Sequence, residues 1–596
     1  MSQRFTTRPE IRGTFGAVAS THWIGTAVGM GILERGGNAF DAAVATGFAL
    51  QIVEPHLNGP GGDAPIILQQ AGGDAPVVIC GQGVAPQAAT IEAYRDRGVT
   101  LVPGTGLLAA VVPGAFDAWM LLLRDYGTMT LRDVLEPAIG YAVNGFPLAY
   151  RAAAAIHAIA DHFREAWPSS AEVWLPDGDA PHPNQLIATP PIGKAYEHIV
   201  VEAETAGSDR VAQIEAARTC FYEGFVAEAI DGFCRREFMD STGRPNSGFL
   251  TGADMAAWRA RYEPSVALDY HGVRVHKTGP WGQGPVMLQA LALLADFDLA
   301  AMDPQGAEFV HVVTEAIKLA FADRDVFYGD PDFADIPMST LLSDDYAAGR
   351  RALIGDTASA ALRPGDIGDA EERLAALMAL AGSEEDVGLG AGEPTFADVP
   401  EIEGDTVHLD VVDRWGNMVA ATPSGGWLQS SPAIPELGFN LTTRGQMFWL
   451  DDRLPSSLAP GKRPRTTLTP TLVTRDGAPY LAFGSPGGDQ QDQWSLILFL
   501  RQLHHTRNLQ AAIDAPMFNS KHVIWSFYPR PFEANTLLIE SRFDKAVRDE
   551  LTSRGHILDV QEEWALGRLC AVARGANGVI RAAATPRFMQ AYAAGR

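Results

Sequence analysis

The spacing of the apolar residues changes once along this chain, and that change limits the folds open to it. Over most of the first 350 residues, apolar positions recur at the three- and four-residue spacing of helices. The clearest stretches are 107–160, 211–235, 285–300 and 306–325. From residue 406 the apolar residues alternate instead, and TVHLDVV, the turn DRWGN and the return MVAAT predict a β-hairpin. Further strands are predicted at 468–473, 479–484 and 577–583.

Residues 16–53 predict a strand (GAVAS) followed by two helices that a GGN turn separates. Each strand face and each helix stripe must be covered by another apolar surface. With 46% hydrophobic residues the chain can bury a large core. We therefore expect α and β layers that pack on one another.

An acidic segment lies between the two patterns. Residues 366–405 contain twelve Asp or Glu and a single basic residue, Arg373. Apart from the helical phrase EERLAALMALA, this composition predicts a mobile, solvated connection that ends at Asp405. The segment divides the chain into a mainly helical part, 1–405, and a part rich in predicted strands, 406–596.

Composition disfavours several classes of partner. The formal charge is -26 and the pI is about 4.9, so nucleic-acid phosphates and anionic membrane surfaces would be repelled. We find neither a signal peptide nor a run of 18 apolar residues, which predicts a cytoplasmic protein without a membrane span. The four cysteines have neither disulfide-framework nor zinc-ligand spacing, and we expect no metal and no cofactor.

Thr406 stands at the head of the alternating segment, directly after the acidic connection. A threonine hydroxyl is a weak nucleophile unless a base takes its proton, and the free α-amine of an N-terminal threonine can be that base. An α-amine has a pKa of about 7.7 to 8.0, so a useful fraction is neutral at physiological pH. This chemistry requires that the bond between Asp405 and Thr406 be cut.

Two further features complete such a site. Ser424 lies on the return of the predicted hairpin, where its hydroxyl comes back beside Thr406. Downstream, AFGSPGGDQQDQWSLILFL predicts a strand, a glycine turn and a helix. The adjacent Gly487 and Gly488 allow close approach of a substrate, and their N–H groups near a helix N-terminus can stabilise an oxyanion.

Together these phrases resemble the γ-glutamyltransferase family of N-terminal-nucleophile hydrolases. The resemblance follows the family's order over nearly the whole chain, through GAVASTHWIGTAVGMGILERGGNAFDAAVA, FYEGFVAEAI, LTGADMAAW, EAIKLAFADRDVFYGDPDF, TVHLDVVDRWGNMVA, RPRTTLTPT and GSPGG. It implies an α+β fold, the αββα four-layer sandwich. It also implies autocleavage before Thr406 into two associated subunits, 1–405 and 406–596.

The resemblance assigns roles to the residues of the catalytic centre. Thr406 attacks a carbonyl to give an acyl-enzyme, which water or an acceptor amine resolves. Gly487 and Gly488 form the oxyanion hole, and Ser424 stands where the family has a threonine that supports the nucleophile. The expected partners are a small-molecule amide or γ-glutamyl-like substrate and the two subunits themselves.

The expected substrate pocket departs from the family pattern. Gln82 stands where the family has an arginine for the glutamate α-carboxylate, and Trp449 where it has an aspartate for the α-amino group. Among the other pocket residues that the resemblance implies, Gln446 is retained. Gly426 replaces the usual asparagine, and Thr466 and Thr467 replace two serines. A glutamine amide supplies neither the charge nor the bidentate fork of an arginine.

Loss of both charged anchors disfavours glutathione, because each charge-assisted contact contributes about 1.5 to 3 kcal/mol. Phe448 and Trp449 are instead expected to line a pocket for a less polar or smaller acyl group. The alternative is a genuine γ-glutamyl hydrolase or transpeptidase in which Arg95, Arg97 or Arg465 restores the carboxylate partner.

Other classes remain as alternatives. His22, His56 and Asp63 form the one set that suggests a metal hydrolase, although no HExxH sequence accompanies them. A serine hydrolase with a nucleophile elbow is disfavoured because GxSxG is absent. The rival from a different class is an uncleaved, catalytically silent binding or scaffold protein, against which the retained Thr406 and glycine pair argue.

Overall fold

The computed structural model describes residues 5–381, 406–506 and 508–596. Its helices are α1 Trp23–Glu34, α2 Ala39–Val53, α3 Ile91–Asp96, α4 Ala115–Tyr126, α5 Leu131–Asn144, α6 Tyr150–Glu165, α7 Pro168–Trp174, α8 Pro190–Thr205, α9 Arg210–Glu223, α10 Phe225–Cys234, α11 Gly252–Ala256, α12 Pro285–Leu294, α13 Ala307–Phe327, α14 Met338–Leu341, α15 Asp344–Arg351, α16 Ala370–Leu380, α17 Gln491–His504, α18 Leu509–Asp514 and α19 Lys545–Ser553.

Its strands are β1 Ile11–Gly13, β2 Gly16–Ser20, β3 Ile66–Gln69, β4 Val77–Cys80, β5 Phe146–Pro147, β6 Leu186–Ile187, β7 Phe238–Met239, β8 Pro245–Asn246, β9 Arg261–Pro264, β10 Val266–Tyr270, β11 Val273–Lys277, β12 Leu409–Asp413, β13 Met418–Ala421, β14 Thr471–Arg475, β15 Ala478–Gly484, β16 Phe518–Ser520, β17 Thr536–Glu540, β18 Ile557–Gln561, β19 Cys570–Arg574, β20 Ile580–Ala584 and β21 Tyr592–Gly595. Residues 382–405, which hold most of the predicted acidic connection and Asp405, lie outside the described residues.

Two seven-stranded antiparallel sheets form the centre of the fold. The first has the order β1-β20-β19-β15-β14-β11-β10, and the second has the order β21-β2-β12-β13-β3-β4-β9. Both sheets contain strands from before residue 382 and strands from after residue 405. Neither part of the chain therefore forms a sheet of this kind by itself.

The alternating sequence of β12 explains how the sheets are layered. Leu409 and Val411 point to a core shared with the helices α2, α4 and α5, whereas Val412 points to a core between the two sheets. The inter-sheet core is built largely from small residues, such as Ala17, Ala482 and Ala582. On the far side of the first sheet, α12, α13 and α17 cover a third core.

These helix, sheet, sheet and helix layers confirm the predicted α+β fold of the αββα type. The predicted hairpin is β12 and β13, with Leu409 opposite Ala421. The helical phrase in the acidic segment is α16, which buries Ala370, Ala376 and Leu377. Among the helices of the described ranges, none is long and apolar enough to cross a bilayer.

Candidate active site

Thr406 is completely buried at the start of the second part of the chain. Its Oγ1 donates a hydrogen bond of 3.3 Å to Oγ of Ser424, and it accepts one of 3.5 Å from Nε2 of Gln491. The Val407 N–H donates to the Pro423 carbonyl at 3.0 Å, which continues the β12–β13 pairing up to Thr406. The hairpin therefore brings Ser424 beside Thr406, as its spacing in the sequence predicts.

A glycine-rich loop, residues 58–62, supports the other side of Ser424. The backbone of Ser424 exchanges two hydrogen bonds with Asp63, of 2.9 Å and 2.7 Å. A Cβ on Gly62 would lie 2.2 Å from the Ser424 carbonyl oxygen, and one on Gly59 would lie 2.3 Å from that of Gly426. Gly426 itself has φ of +63°. The close backbone contact explains why both segments carry glycines here.

The Asp63 carboxylate forms a buried ion pair under this loop. It accepts hydrogen bonds from Arg444 Nε at 3.1 Å, Thr442 Oγ1 at 3.1 Å and Gln82 Nε2 at 3.3 Å. Burial raises the pKa of Asp63, and the Arg444 guanidinium opposes that rise. Gln82 thus contacts Oδ1 of an internal carboxylate whose other oxygen, Oδ2, accepts from Arg444 and Thr442.

Gln446 and Trp449 lie on the segment that follows Arg444. Gln446 Oε1 accepts a 3.1 Å hydrogen bond from the Tyr528 N–H, and its Nε2 donates to the Gly104 carbonyl at 3.3 Å. The Arg530 guanidinium lies 3.8 Å from the centre of the Trp449 ring and donates to the carbonyl oxygens of Gln446 and Phe448. A buried guanidinium therefore lies against the Trp449 ring.

The glycine turn connects β15 to α17, as predicted. Gly487 and Gly488 have φ of +121° and +52°, which favour glycine. A Cβ on Gly487 would also lie 2.5 Å from the Trp494 ring. Gln491, the first residue of α17, donates a hydrogen bond to Thr406. The turn that carries Gly487 and Gly488 therefore lies beside the predicted nucleophile.

Arg465, Thr466 and Thr467 lie in a buried segment near this turn. The Thr466 N–H donates to the Trp281 carbonyl at 2.8 Å. Arg465 Nη2 donates to Ser526 Oγ at 3.0 Å, and Ser526 Oγ donates to Asp489 Oδ1 at 2.6 Å. Asp489 follows Gly488 directly, so this segment joins the glycine turn through Ser526.

The other arginines considered as carboxylate partners contact other groups. Arg95 Nη2 donates to the Leu450 carbonyl at 2.9 Å. Arg97 donates to the Ala93 carbonyl and lies over the Phe249 ring, 4.2 Å from its centre. Of the set that suggested a metal hydrolase, His22 caps α1 by accepting a hydrogen bond from the Ile24 N–H, and Asp63 pairs with Arg444.

The residues of the hairpin and of the glycine turn were predicted to form one site, but the side chains that connect the two segments were not predicted. These are Asp63 as a partner of Arg444, Gln491 as a partner of Thr406, and the pair Asp489 and Ser526. The one available signal for Gln491 is its place directly after GSPGGDQ, at the start of the helix. Asp63 and Arg444 are 381 residues apart, and no local pattern links them.

Comparison with known proteins identifies the family to which the chain is similar. The family model described as gamma-glutamyltranspeptidase matches residues 25–595. The oxamate amidohydrolase proenzyme of Klebsiella pneumoniae is 30% identical over 588 residues, which cover 96% of this chain and 97% of the relative.

Two solved structures share the fold over the whole chain. The structure of LmbA2991T421A is 50% identical with a TM-score of 0.93, and the match covers 100% of both chains. The cephalosporin acylase from Bacillus halodurans is 28% identical with a TM-score of 0.82, and the match covers 100% of this chain and 98% of that one.

Proposed function

Because the chain belongs to the γ-glutamyltranspeptidase family of self-processing threonine hydrolases and transferases, we propose that it cuts itself between Asp405 and Thr406. The freed Thr406 is then the nucleophile that acts on an amide substrate. The observation that carries the proposal is the buried Thr406 hydroxyl, held between Ser424 and Gln491 at the end of the glycine turn. The two products of the cut, 1–405 and 406–596, stay together as a heterodimer.

Self-cleavage begins when Thr406 Oγ1 attacks the carbonyl carbon of Asp405. The acyl group moves from the Thr406 nitrogen to its oxygen, which breaks the peptide bond and forms an ester. Water hydrolyses this ester, leaving a carboxylate on Asp405 and a free α-amine on Thr406. The Ser424 hydroxyl, which accepts the Thr406 hydrogen bond, orients Oγ1 for the attack.

In the mature enzyme the Thr406 α-amine takes the proton from Oγ1 as that oxygen attacks the substrate carbonyl. The N–H groups of Gly487 and Gly488 stabilise the oxyanion that forms. The leaving amine receives the proton, and the acyl group remains on Oγ1 as an ester. Water or an acceptor amine then attacks this ester and restores the threonine.

The substrate is an amide whose acyl group is not γ-glutamyl. Arg530, which lies against Trp449, would repel the α-ammonium group of a glutamyl substrate, and Gln82 is engaged with Asp63. Support comes from two relatives whose names describe activity on other amides, the oxamate amidohydrolase and the cephalosporin acylase. Glutathione is accordingly expected to be a poor substrate.

The test of self-cleavage is the mass of the purified protein under denaturing conditions. We expect two fragments, the smaller beginning at Thr406. Thr406→Ala should give a stable, inactive single chain of 63.9 kDa, because its side chain has no hydroxyl. Thr406→Ser, which keeps the hydroxyl, is the matched control and should still be cut. Cleavage of the alanine variant at the same bond would refute the proposed nucleophile.

A further inference from the structure

Beyond the nucleophile itself, we infer that Gln491 is a further catalytic residue, whose Oε1 binds the α-amine of the freed Thr406 while its Nε2 binds the hydroxyl oxygen. One side chain then holds the base and the nucleophile in the arrangement that proton transfer between them requires. This inference rests on the proposed function, because the amine exists only after the cut.

The hydrogen bonds of the Thr406 hydroxyl determine which way the Gln491 amide faces. Oγ1 gives its hydrogen to Ser424 Oγ at 3.3 Å, so the amide atom that faces it at 3.5 Å must be the donor, Nε2. Gln491 is completely buried, and its Oε1 has no hydrogen-bond partner within the described ranges. The amide that contacts the nucleophile therefore carries an acceptor that lacks a donor.

Self-cleavage supplies new donors beside this acceptor. The nitrogen of Thr406 carries one hydrogen in the uncut peptide, but a free amine carries two and an ammonium group three. Buried carbonyl oxygens are normally paired, and these new N–H groups appear on the residue that Gln491 already contacts. The cut thus provides the hydrogen bond that Oε1 lacks in the uncut chain.

Two buried ion pairs fix the backbone on either side of Gln491. Asp489, two residues before it, pairs with Arg324 of α13. Asp492, the residue after it, pairs with Lys277 of β11 at 2.9 Å. Because both pairs are buried, the start of α17 is held in place and the Gln491 amide keeps its direction.

The carboxylates around the nucleophile are bound to other groups, which leaves Gln491 as the acceptor for the amine. The segments that meet at Thr406, residues 58–63, 406–410, 422–426 and 484–492, carry four of them: Asp63 pairs with Arg444, Asp410 with His408, Asp489 with Arg324 and Asp492 with Lys277. A carboxylate next to the amine would hold it as an ammonium, which cannot act as a base. A neutral carboxamide orients the amine and leaves it able to take the proton.

The test is the pKa of the Thr406 α-amine in the cut protein, measured by competitive labelling with trace acetic anhydride at a series of pH values. After hydroxylamine has removed acetyl groups from hydroxyls, mass spectrometry of the fragment that begins at Thr406 gives the acetylation of the amine. A hydrogen bond to Oε1 favours the ammonium form, so Gln491→Met should lower this pKa by about one. Gln491→Glu, with a carboxylate in the same place, should raise it by about one.

Gln490→Met is the matched control, because Gln490 lies on the same turn and Gln491 makes the contact with Thr406. The amine of this variant should titrate as in the wild type. An identical pKa in the wild type and in both Gln491 variants would overturn the inference. A merely structural role of Gln491 predicts no opposite shifts in the two variants.

The rate of self-cleavage separates this inference from the proposed function. Because no amine exists before the cut, Gln491→Met should lose only the bond from Nε2 to Oγ1 and be cut about twofold to tenfold more slowly. A folded Gln491→Met chain that is never cut would overturn the inference, since Gln491 would then act before the amine forms. An uncut wild type would instead refute the proposed function, whereas a cut wild type with unshifted variants refutes the role of Gln491 alone.

Discussion

The contact between Thr406 and Ser424 is the residue-scale feature that most directly tests the site. Ser424→Ala removes the oxygen that accepts the Thr406 hydrogen bond at 3.3 Å and leaves the backbone pairing with Asp63 in place. We expect self-cleavage to slow by about twofold to tenfold, because a hydrogen bond between neutral groups contributes about 0.5 to 1.5 kcal/mol.

The measurement is the rate at which the full-length chain disappears after purification, followed by denaturing mass spectrometry. Ser424→Thr keeps a hydroxyl at this position and is the matched control, for which most of the rate should remain. Wild-type cleavage by the alanine variant would show that the Ser424 hydroxyl does not orient Thr406.

Individual residues were predictable where their chemistry is local. Thr406, Ser424 and the two glycines were identified from a hairpin pattern, a turn pattern and the family resemblance, and the structure places Thr406 beside Ser424. Their catalytic roles stay predictions. The contact of Gln82 with Asp63 was not predictable, because it depends on which buried cation neutralises Asp63, and that cation comes from residue 444.

At the scale of secondary-structure elements, the last residue of β15, Gly484, packs against the ring of His408, which directly precedes β12. A Cβ on Gly484 would lie 2.4 Å from Cε1 of His408, whose ring also bonds Thr422 and Asp410. Gly484→Ala must therefore displace a held ring or separate the two strands. We expect a loss of about 1 to 3 kcal/mol in the free energy of unfolding, typical of overpacking.

Urea denaturation of the uncleaved Thr406→Ala chain, with and without Gly484→Ala, measures this cost. Gly31→Ala in α1 is the matched control, because a Cβ there has no atom within 4 Å and alanine favours a helix. Equal midpoints for the Gly484 variant and its parent would mean that the ring moves without cost.

Long elements with clear periodicity were predicted better than short buried strands. The helices α12 and α13 and the hairpin of β12 and β13 lie close to their predicted positions. β3 and β4 were not predicted, since IILQ and VVIC are only four residues long and show no alternation of apolar and polar residues. β3 pairs with β13, which lies more than 300 residues away along the chain, and β4 pairs with β3 and β9.

At the scale of the whole molecule, Glu54 joins the two ends of the chain. Its buried carboxylate accepts hydrogen bonds from Thr21 Oγ1 at 2.6 Å and Gln590 Nε2 at 3.1 Å. Burial raises the pKa of Glu54 from 4.5 to about 8. Between these values the folded state holds one proton more than the unfolded state, so this carboxyl destabilises the fold increasingly as the pH rises.

Glu54→Gln cannot ionise, and it should therefore melt above the wild type at pH 9 and close to it at pH 5. The difference at pH 9 is a few kcal/mol at most, since each pKa unit corresponds to about 1.4 kcal/mol. Melting temperatures across this range measure it, with Glu34→Gln as an exposed control expected to show no such trend. A constant difference from pH 5 to pH 9 would contradict a raised pKa.

Each sheet combines strands from both parts of the chain, and this has a consequence for the reversibility of folding. The uncut chain unfolds and refolds as one molecule, at an equilibrium that does not depend on its concentration. After the proposed cut, the same strands belong to two molecules that must find each other again. Dilution should then lower the melting temperature of the cut protein but not that of the uncut chain. Cleavage of one peptide bond thus makes the stability of the fold depend on protein concentration.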